Sequence, residues 1–359
     1  MKILHFSPEN FARVPANLVR AERKLGHESY LMTLYPSAHQ FHDEDMCLDL
    51  PFVAKAYINR LKIFFNIHKR QVESVRLDTK RGVPIWHPSN VLVKGLFFLR
   101  DKIWEPKIRK VLESIHIHTF DLLFLDGGAG FLRSGRIVQE LKHRGMKIGV
   151  LYCGSDLRRR GIIHQIDRLA DYRFTVEFDH TLLDPRLRFL FFPFELPRFS
   201  EPGKKETDKI RIGHSPTNRA VKGTDIILEH LNRLKQDYPI EIVMIENLPH
   251  QEALCLKKSC DIFVDNIGQL GYGISSLEAL AMGIPTAVEL LPDFESVLGQ
   301  HPFINISKKN LSEKLIPFIH SEKLRKTWGE KGKEWVKNHH DPVRVAETIL
   351  KRVQQEVSL

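Results

Sequence analysis

The chain has 359 residues, which exceeds what one hydrophobic core normally organises and indicates two domains. Apolar residues make up 42% and charged residues 27%, a composition that excludes a largely disordered or fibrous protein. The formal net charge of +10 favours acidic partners, whether nucleotide phosphates, nucleic acid or anionic lipid, and selects none of them.

Cysteine and hydropathy patterns exclude further classes of protein. The four cysteines, Cys47, Cys153, Cys255 and Cys260, form no Cys-x-x-Cys pair, and no cysteine–histidine cluster has zinc spacing. The first apolar stretch is too short for a signal peptide, and no run reaches the ~18 apolar residues of a membrane span. We therefore predict a cytoplasmic protein with reduced thiols and no bound metal.

In chain order, the first part of the sequence alternates strand and helix patterns. Buried-strand patterns occupy residues 2–7, 28–34, 121–126, 147–152, 172–176 and 189–192. Helical patterns run through Leu18 and Leu25 up to Gly26, over 52–72 and 91–112, and over 131–144 before Gly145. Strand–helix–strand repetition predicts a parallel sheet covered by helices on both faces.

A polar segment, residues 201–208, predicts a linker to a second alternation of the same kind. The second alternation predicts strands at 210–214, 240–245, 261–265 and 285–289, with helices at 224–236, 251–258 and 275–281. Helices rich in Lys and Glu end the chain. The predicted fold class is α/β, with two Rossmann-like, doubly wound parallel-sheet domains. Such sheets bind ligands at the carboxyl ends of their strands, so we expect an active site in a cleft between two facing domains.

A glycine-containing loop follows the predicted strand that ends at Asp265. Its glycines let backbone amides approach an anion, and the helix that begins near Ile274 adds positive potential at its first turn. Glu278 lies one turn into that helix, where a carboxylate can accept two hydrogen bonds from a ribose diol. A plain glycine-rich turn, with Glu278 favouring the helix dipole, explains the pattern equally well. The candidate ligands of a nucleotide here are Gly271, Gly273, Ile274, Ser275 and Glu278.

Arg219 and Lys222 lie in the loop that follows the first strand of the second domain. Arginine can grip a phosphate with two donors and lysine supplies a point charge, so the two could stabilise a diphosphate leaving group. Thr224 is placed to cap the next helix. Two solvated surface cations are the alternative interpretation of this pair.

Together these segments resemble retaining glycosyltransferases of the GT-B fold, specifically family four. The resemblance rests on Arg219, Lys222, the loop Gly271-Tyr272-Gly273, Glu278 and the run EALAMGIP that ends at Pro285. The segment PHQEA from Pro249, which follows Asn247, is similar to the family's loop near the nucleotide base. The resemblance covers most of residues 120–355 and is weak before residue 120.

The resemblance implies domain limits and a reaction. The final run is similar to the family's last helices, which return to the first domain, so the expected domains are 1–200 with about 341–359, and 201–340. The implied reaction moves a sugar with retention from a nucleoside diphosphate sugar to a glycan or lipid-linked glycan, in cell-envelope or exported polysaccharide synthesis. It needs no cofactor and no metal.

The sequence departs from the family's pattern at two positions. Leu270 stands where the family usually has a second Glu, eight residues before Glu278, and we interpret this as a subfamily trait. Asp126, followed by Gly127, stands where many members have a His. Asp126 could bind a sugar hydroxyl or the acceptor, or it could cap the next helix.

The segment YCGSDLRRRG, residues 152–161, resembles the family's H-G-S-D-[LV]-R segment and follows a predicted strand. Asp156 and Arg158 are therefore candidates for contact with the acceptor or between domains. A structural ion pair between these two side chains is the alternative.

Other features of the sequence allow an accessory property and two other functions. A basic helix over 52–72 with Phe64 and Phe65 would allow peripheral contact with the inner face of the membrane, and packing of this helix on the first domain's own sheet is the alternative. A non-catalytic protein that binds nucleotides, nucleic acid or a membrane surface fits the net charge, but no nucleic-acid motif is present, so we expect no nucleic-acid partner. An NAD-dependent oxidoreductase requires G-x-G-x-x-G, and Gly128-Ala129-Gly130 is followed by Arg133 instead of a third glycine.

Overall fold

The computed structural model describes residues 1–37, 43–52, 82–154, 156–198, 208–268 and 271–355. Three features of the sequence fall outside these residues: the predicted helix over 52–72 beyond Phe52, the predicted linker except Asp208, and Leu270.

The chain folds into two compact units. The first contains Met1–Pro193 and Pro342–Leu359, and the second contains Phe194–Asp341. The last helix of the chain thus belongs to the first unit, together with the amino-terminal residues.

A parallel seven-stranded sheet forms the first unit. Its order is β3-β2-β1-β4-β5-β6-β7, and every neighbouring pair is parallel. The chain leaves β1 toward one edge and later builds from β4 toward the other, so β1 and β4 flank the switch point of this sheet. The strands are β1 (Lys2–Ser7), β2 (Glu28–Thr33), β3 (Met46–Cys47), β4 (Leu122–Asp126), β5 (Lys147–Tyr152), β6 (Tyr172–Thr175) and β7 (Arg188–Phe189).

The second unit has a parallel five-stranded sheet of order β12-β11-β10-β8-β9. Its switch point lies between β8 and β10, because the chain goes to opposite edges after these two neighbours. The strands are β8 (Ile210–His214), β9 (Ile240–Met244), β10 (Ile262–Val264), β11 (Thr286–Val288) and β12 (Ile304–Asn305). Two doubly wound parallel sheets confirm the predicted fold class.

Helices connect the strands in both units. In the first unit they are α1 (Val14–Lys24), α2 (Val91–Ser114), α3 (Arg136–His143), α4 (His164–Asp167), α5 (Phe178–Leu183) and, at the end of the chain, α13 (Pro342–Gln355). In the second unit they are α6 (Arg219–Lys222), α7 (Thr224–Asp237), α8 (His250–Lys258), α9 (Ile274–Ala281), α10 (Pro292–Leu298), α11 (Leu311–His320) and α12 (Glu322–His339). No helix in the described ranges has both the length and the apolarity that crossing a bilayer requires.

The central strands are continuous apolar runs because both faces of each parallel sheet are covered. All five residues of β4 are buried, and so are the last five of β1. Helix α13 completes this core: it contacts α1, and its Val353 carbonyl accepts a hydrogen bond from the Tyr172 hydroxyl of β6 at 3.1 Å.

One predicted helix begins later than the sequence pattern indicated. The pattern predicted a helix over 131–144, whereas α3 starts at Arg136. Gly135 adopts a left-handed φ of 71° just before it, and Phe131 and Leu132 are buried in the loop that precedes it. Because these two apolar residues pack against the core, they resemble the apolar face of a helix in the sequence pattern. This explains why the predicted helix starts five residues too early.

Candidate functional site

The carboxyl ends of β8 and β10 lie side by side at the switch point of the second sheet. Each strand leads directly into a loop and a helix: β8 into α6, and β10 into α9. Parallel sheets bind ligands at this position, since helix amino termini and loop amides meet there. The two sequence segments singled out for nucleotide binding both occupy this edge of the second sheet.

Lys222 is a buried cation with a buried counter-ion. Its Nζ lies 2.8 Å from Oδ1 of Asp265, whose side chain is fully buried at the end of β10. The backbone amide of Ile267 also donates to the Lys222 carbonyl at 3.1 Å, so the loops after β8 and β10 are tied together. Burial alone would raise the pKa of the Asp265 carboxyl, but the Lys222 ammonium and the Ser276 hydroxyl outweigh it and lower that pKa.

The turn that positions Lys222 requires glycine. Asn218 caps the short helix α6 through a hydrogen bond from the Val221 amide at 3.1 Å, and Gly223 then takes φ 67°. A side chain at 223 would bring its Cβ within 2.4 Å of the Ile267 carbonyl oxygen. The predicted cap by Thr224 is therefore wrong: α7 starts at Thr224 right after this turn, and the Thr224 hydroxyl lies 2.9 Å from His214 Nε2 instead.

Asp265 also connects the sheet to the first turn of α9. Its Oδ2 accepts a hydrogen bond from the Ser276 hydroxyl at 2.6 Å. The first amides of any helix have no intrahelical acceptor, and the residue before α9, Gly273, is extended and provides no side-chain cap for them. Helix α9 thus places its positive end beside the Lys222–Asp265 pair, which is a favourable environment for an anion.

Glu278, on α9, is held by two basic side chains. Its Oε2 lies 2.6 Å from Lys257 Nζ and its Oε1 lies 2.8 Å from His250 Nε2. Lys257 is 2% exposed and also donates to the Ser275 hydroxyl at 2.8 Å. Burial would raise the pKa of the Glu278 carboxyl, yet Lys257 and His250 lower it, so the carboxylate is ionised. Lys257 was not identified from the sequence, because it has the pattern of a surface lysine near the end of α8.

Arg219 lies at the other end of α6 from Lys222. Its guanidinium is half exposed and pairs with Glu246, which follows β9, at N–O distances of 2.8 and 2.5 Å. This hydrogen-bonded pair raises the pKa of Arg219 and lowers that of Glu246. Arg219 therefore borders the β8–β10 edge from the side of β9, with its charge already matched by a carboxylate.

The other candidates for nucleotide binding differ in exposure: Tyr272 is buried, whereas Asn247 and Pro249 are exposed. The ring of Tyr272 is buried and stacks on Phe303 and Phe294, with centroids 4.7 and 5.4 Å apart, and its hydroxyl lies 3.2 Å from His340 Nε2. Its side chain thus packs in an aromatic cluster. Asn247, with φ 54°, and Pro249 are exposed in the loop between β9 and α8.

Asp126 is fully buried at the end of β4, inside a charged triad. Its Oδ2 lies 3.0 Å from His5 Nδ1, and the other ring nitrogen of His5 lies 3.2 Å from Glu22. Burial would lower the pKa of His5, but Glu22 and Asp126 together raise it to about 10. The alternative that Asp126 caps the next helix is wrong, because Gly135 precedes α3 and the Asp126 carboxylate is directed to His5.

Asp156 and Arg158 follow β5 and do not pair with each other, so the alternative interpretation, a structural ion pair between them, is wrong. Arg158 binds Glu177 at 2.7 Å and Asp179 at 2.5 Å. Asp156 instead accepts from the Cys153 amide at 3.0 Å, and its other oxygen lies 3.5 Å from Arg160. The five residues from Asp156 to Arg160 form a π-helical turn, which turns these neighbouring side chains toward different partners.

The fold matches solved structures along nearly the whole chain, whereas no protein-family model and no curated protein matches the sequence. The glycosyltransferase SnogD from Streptomyces nogalater gives a TM-score of 0.52 at 14% identity, over 98% of this chain and 100% of SnogD. Anabaena HepE in complex with UDP gives 0.53 at 11% identity, over 99% and 100%. The UDP-GlcNAc 2-epimerase from Neisseria meningitidis bound to UDP-GlcNAc gives 0.55 at 11% identity, over 99% and 100%. At these identities the likeness establishes the fold, which is GT-B.

Proposed function

We propose that this protein is a glycosyltransferase whose donor is a nucleoside diphosphate sugar. The observation that carries the proposal is the juxtaposition of the Lys222–Asp265 pair with the uncapped first turn of α9 at the switch point of the second sheet. The GT-B fold supports it, since SnogD is a glycosyltransferase and HepE was solved with UDP.

The proposed chemistry requires stabilisation of the charge that develops on the diphosphate as the sugar departs. Lys222 and the α9 amides are preorganised for that charge, because contacts within the protein already fix them. Arg219 would contribute a second cation by exchanging Glu246 for a phosphate oxygen. These groups make a metal-independent reaction our expectation.

Glu278 would bind the ribose diol of the donor. Each of its carboxylate oxygens already accepts from one basic partner, so a diol would either use the remaining acceptor sites or replace one partner. His250 is 31% exposed whereas Lys257 is 2% exposed, so His250 is the partner that can be displaced at lower cost. Lys257 would then keep the carboxylate ionised and oriented while the diol binds.

The proposed glycosyltransferase function includes the class of acceptor and the stereochemistry of sugar transfer. We expect retention at the anomeric carbon and a glycan or lipid-linked glycan acceptor from envelope or exported polysaccharide synthesis. Asp126, Gly127 and Asp156, at the carboxyl ends of β4 and β5, are the groups proposed on the acceptor side, and Arg158 positions Glu177 and Asp179 beside them.

The proposal is tested first by ligand binding and then by transfer. UDP, GDP and ADP are titrated by isothermal calorimetry, with NADH as the reference, and one nucleoside diphosphate is expected to bind while NADH does not. A panel of the matching nucleotide sugars is then assayed for acceptor-dependent release of the nucleotide. Conversion of UDP-GlcNAc to its C2 epimer without an acceptor, or binding of NADH alone, would contradict a glycosyltransferase.

We also propose peripheral contact with an anionic membrane through helix α2. Val91, Leu92 and Phe98 are 84%, 74% and 62% exposed on this helix, and Lys94 and Lys102 are exposed among them. Apolar side chains beside lysines are the pattern of a helix that lies on anionic lipid.

Vesicle flotation tests the membrane contact. The protein should float with phosphatidylserine-containing vesicles and be released as salt is raised, because the attraction to the surface is screened. Lys94→Glu with Lys102→Glu should reduce flotation, whereas Lys323→Glu with Lys337→Glu, both exposed on α12, should not. Absence of the wild-type protein from the vesicle fraction at low salt would exclude the contact.

A further inference from the structure

A pocket of about 460 Å³ opens in the first unit at the carboxyl ends of β1, β4 and β5. The loops after these strands form one side of it, through Pro8, Gly127 and Gly154, and helix α2 forms another through Trp104. It therefore lies at the switch point of the first sheet, where a doubly wound fold binds its ligands. None of the nucleotide-binding candidates lines it.

Among the described residues, three guanidinium groups line this pocket, from Arg100, Arg133 and Arg160. Arg100 is paired with Asp101 at 2.6 Å, and Arg160 lies 3.5 Å from Asp156 and donates to the Gly127 carbonyl. Arg133 differs from both: within the described part of the chain its Nη1 is buried and has no hydrogen-bond partner. A buried guanidinium nitrogen without an acceptor is costly, so an anion that accepted a hydrogen bond from Nη1 would remove that cost.

Aromatic side chains contact two of these guanidinium groups, those of Arg133 and Arg100. Arg133 lies over the rings of Trp86 and Phe97, at 5.0 and 5.8 Å from their centroids. Arg100 lies 4.2 Å from the centroid of Trp104. Contacts of this kind fix the plane of a guanidinium without neutralising its charge. The arginines are thus oriented before any ligand arrives.

Carboxylates compensate two of the three arginines of the pocket. Among the described residues, Asp101 pairs with Arg100 and Asp156 lies near Arg160, whereas Arg133 forms no ion pair. One oxygen of Asp156 is already occupied by the Cys153 amide. Burial, followed by repulsion from Arg160 and Arg100, lowers the pKa of Arg133 to about 9, because the opposite effect of Asp101 and Asp156 is smaller. An anion in the pocket would supply the missing compensation.

We infer that this pocket binds an anionic group, a phosphate ester or a carboxylate, on the sugar acceptor, with Arg133 as its main ligand. The assignment to an acceptor rests on the proposed glycosyltransferase function, whereas the anion site itself rests only on the pocket. Arg133 offers buried donors, Arg160 and Arg100 supply further positive charge, and planar guanidinium groups match the geometry of both anions. The acceptor is accordingly an acidic sugar or a sugar phosphate, and a neutral sugar would leave Arg133 uncompensated.

Equilibrium dialysis of radiolabelled inorganic phosphate against the full-length protein tests the anion site. Saturating UDP is present to occupy the second unit, and ionic strength is held constant with chloride. Arg133→Gln is expected to weaken phosphate binding ~10- to 100-fold, the effect of losing charge-assisted hydrogen bonds. Arg160→Gln provides a second variant in case Arg133→Gln does not fold. Arg168→Gln, an exposed arginine of the same unit, should leave phosphate binding unchanged.

Competition against the labelled phosphate identifies the acceptor chemistry. Glucose 6-phosphate tests the phosphate ester, glucuronate tests the carboxylate, and displacement by either with none by glucose supports the inference. Phosphate binding that survives both arginine substitutions, or displacement by neither sugar anion, would overturn it. UDP binding is measured separately by calorimetry: if UDP binds and the arginine variants change nothing, only this inference fails. If UDP does not bind while Arg133→Gln abolishes phosphate binding, the proposed function fails and the anion pocket stands.

Discussion

Replacing Lys222 by methionine is expected to lower kcat by roughly 10²- to 10³-fold, the usual effect of removing one preorganised donor from developing charge. Lys222 is the buried cation beside the α9 amides, so its charge acts at short range with little screening. Because it is proposed to act on the departing diphosphate, kcat should fall more than donor affinity does. Steady-state rates of nucleotide release, with donor affinity from calorimetry, separate the two quantities.

A structural effect of the same substitution must be distinguished from the catalytic one. Lys222→Met leaves Asp265 buried without its ammonium partner, which costs about 3–5 kcal/mol in comparable buried pairs. The double variant with Asp265→Asn removes that unpaired charge and should recover much of the lost unfolding free energy, measured by urea denaturation. Its kcat should stay low. A double variant with wild-type turnover would show that Lys222 serves only to balance Asp265.

Replacing Glu278 by glutamine is expected to weaken binding of the nucleoside diphosphate ~10- to 150-fold, since hydrogen bonds to a charged acceptor contribute about 1.5–3 kcal/mol. The carboxylate is ionised and oriented by Lys257, and a neutral amide cannot accept from a diol with both of its terminal atoms. Calorimetric titration of the nucleotide that binds wild-type protein measures the loss.

The stability of the Glu278 variant needs its own control. Glu278→Gln deprives the buried Lys257 of its counter-ion, so the unfolding free energy should fall, and Lys257→Met in the same chain should restore part of it. Glu252→Gln on α8 removes an exposed carboxylate nearby and should change neither stability nor affinity. A folded Glu278→Gln protein that binds the nucleotide as tightly as wild type would rule out the ribose contact.

The sheet architecture was predictable because parallel strands leave a strong sequence signal. Strands covered on both faces are short apolar runs, and β1, β5 and β8 have the limits that the patterns predicted. The helix predicted over 91–112 is α2, which extends two residues further. Where burial came from a loop, as at Phe131 and Leu132, the same signal was misassigned to a helix.

The candidate site was predictable in position and less so in its contacts. Loops after β8 and β10 meet because the strands are neighbours, so sequence could indicate that Lys222 and Glu278 lie at one edge of the sheet. It could not indicate that Asp265 and Lys257 would pair with them, because those partners are set by side-chain direction in the folded unit. Tyr272 was assigned with the glycine loop, although its ring packs with Phe303. The roles of these residues in binding stay predictions.

The proposed role of Arg133 could not be predicted from the sequence at all. In the sequence it was informative only as the residue that breaks a dinucleotide-binding motif. Its proposed role depends on Nη1 having no acceptor among the described residues, which is a property of three-dimensional packing and leaves no local sequence pattern.

The return of α13 to the first unit has a consequence for biogenesis. Val345, Ile349 and Val353 are buried in that unit, yet the ribosome makes them only after the whole of the second unit. During synthesis the first unit therefore lacks α13 until the second unit has been made. Until then, the surface of α1 and Tyr172 that α13 covers is exposed to solvent or available to a chaperone. A fragment ending at Pro193 would keep that exposure permanently, so it is expected to aggregate on expression, whereas Phe194–Asp341 carries its own core.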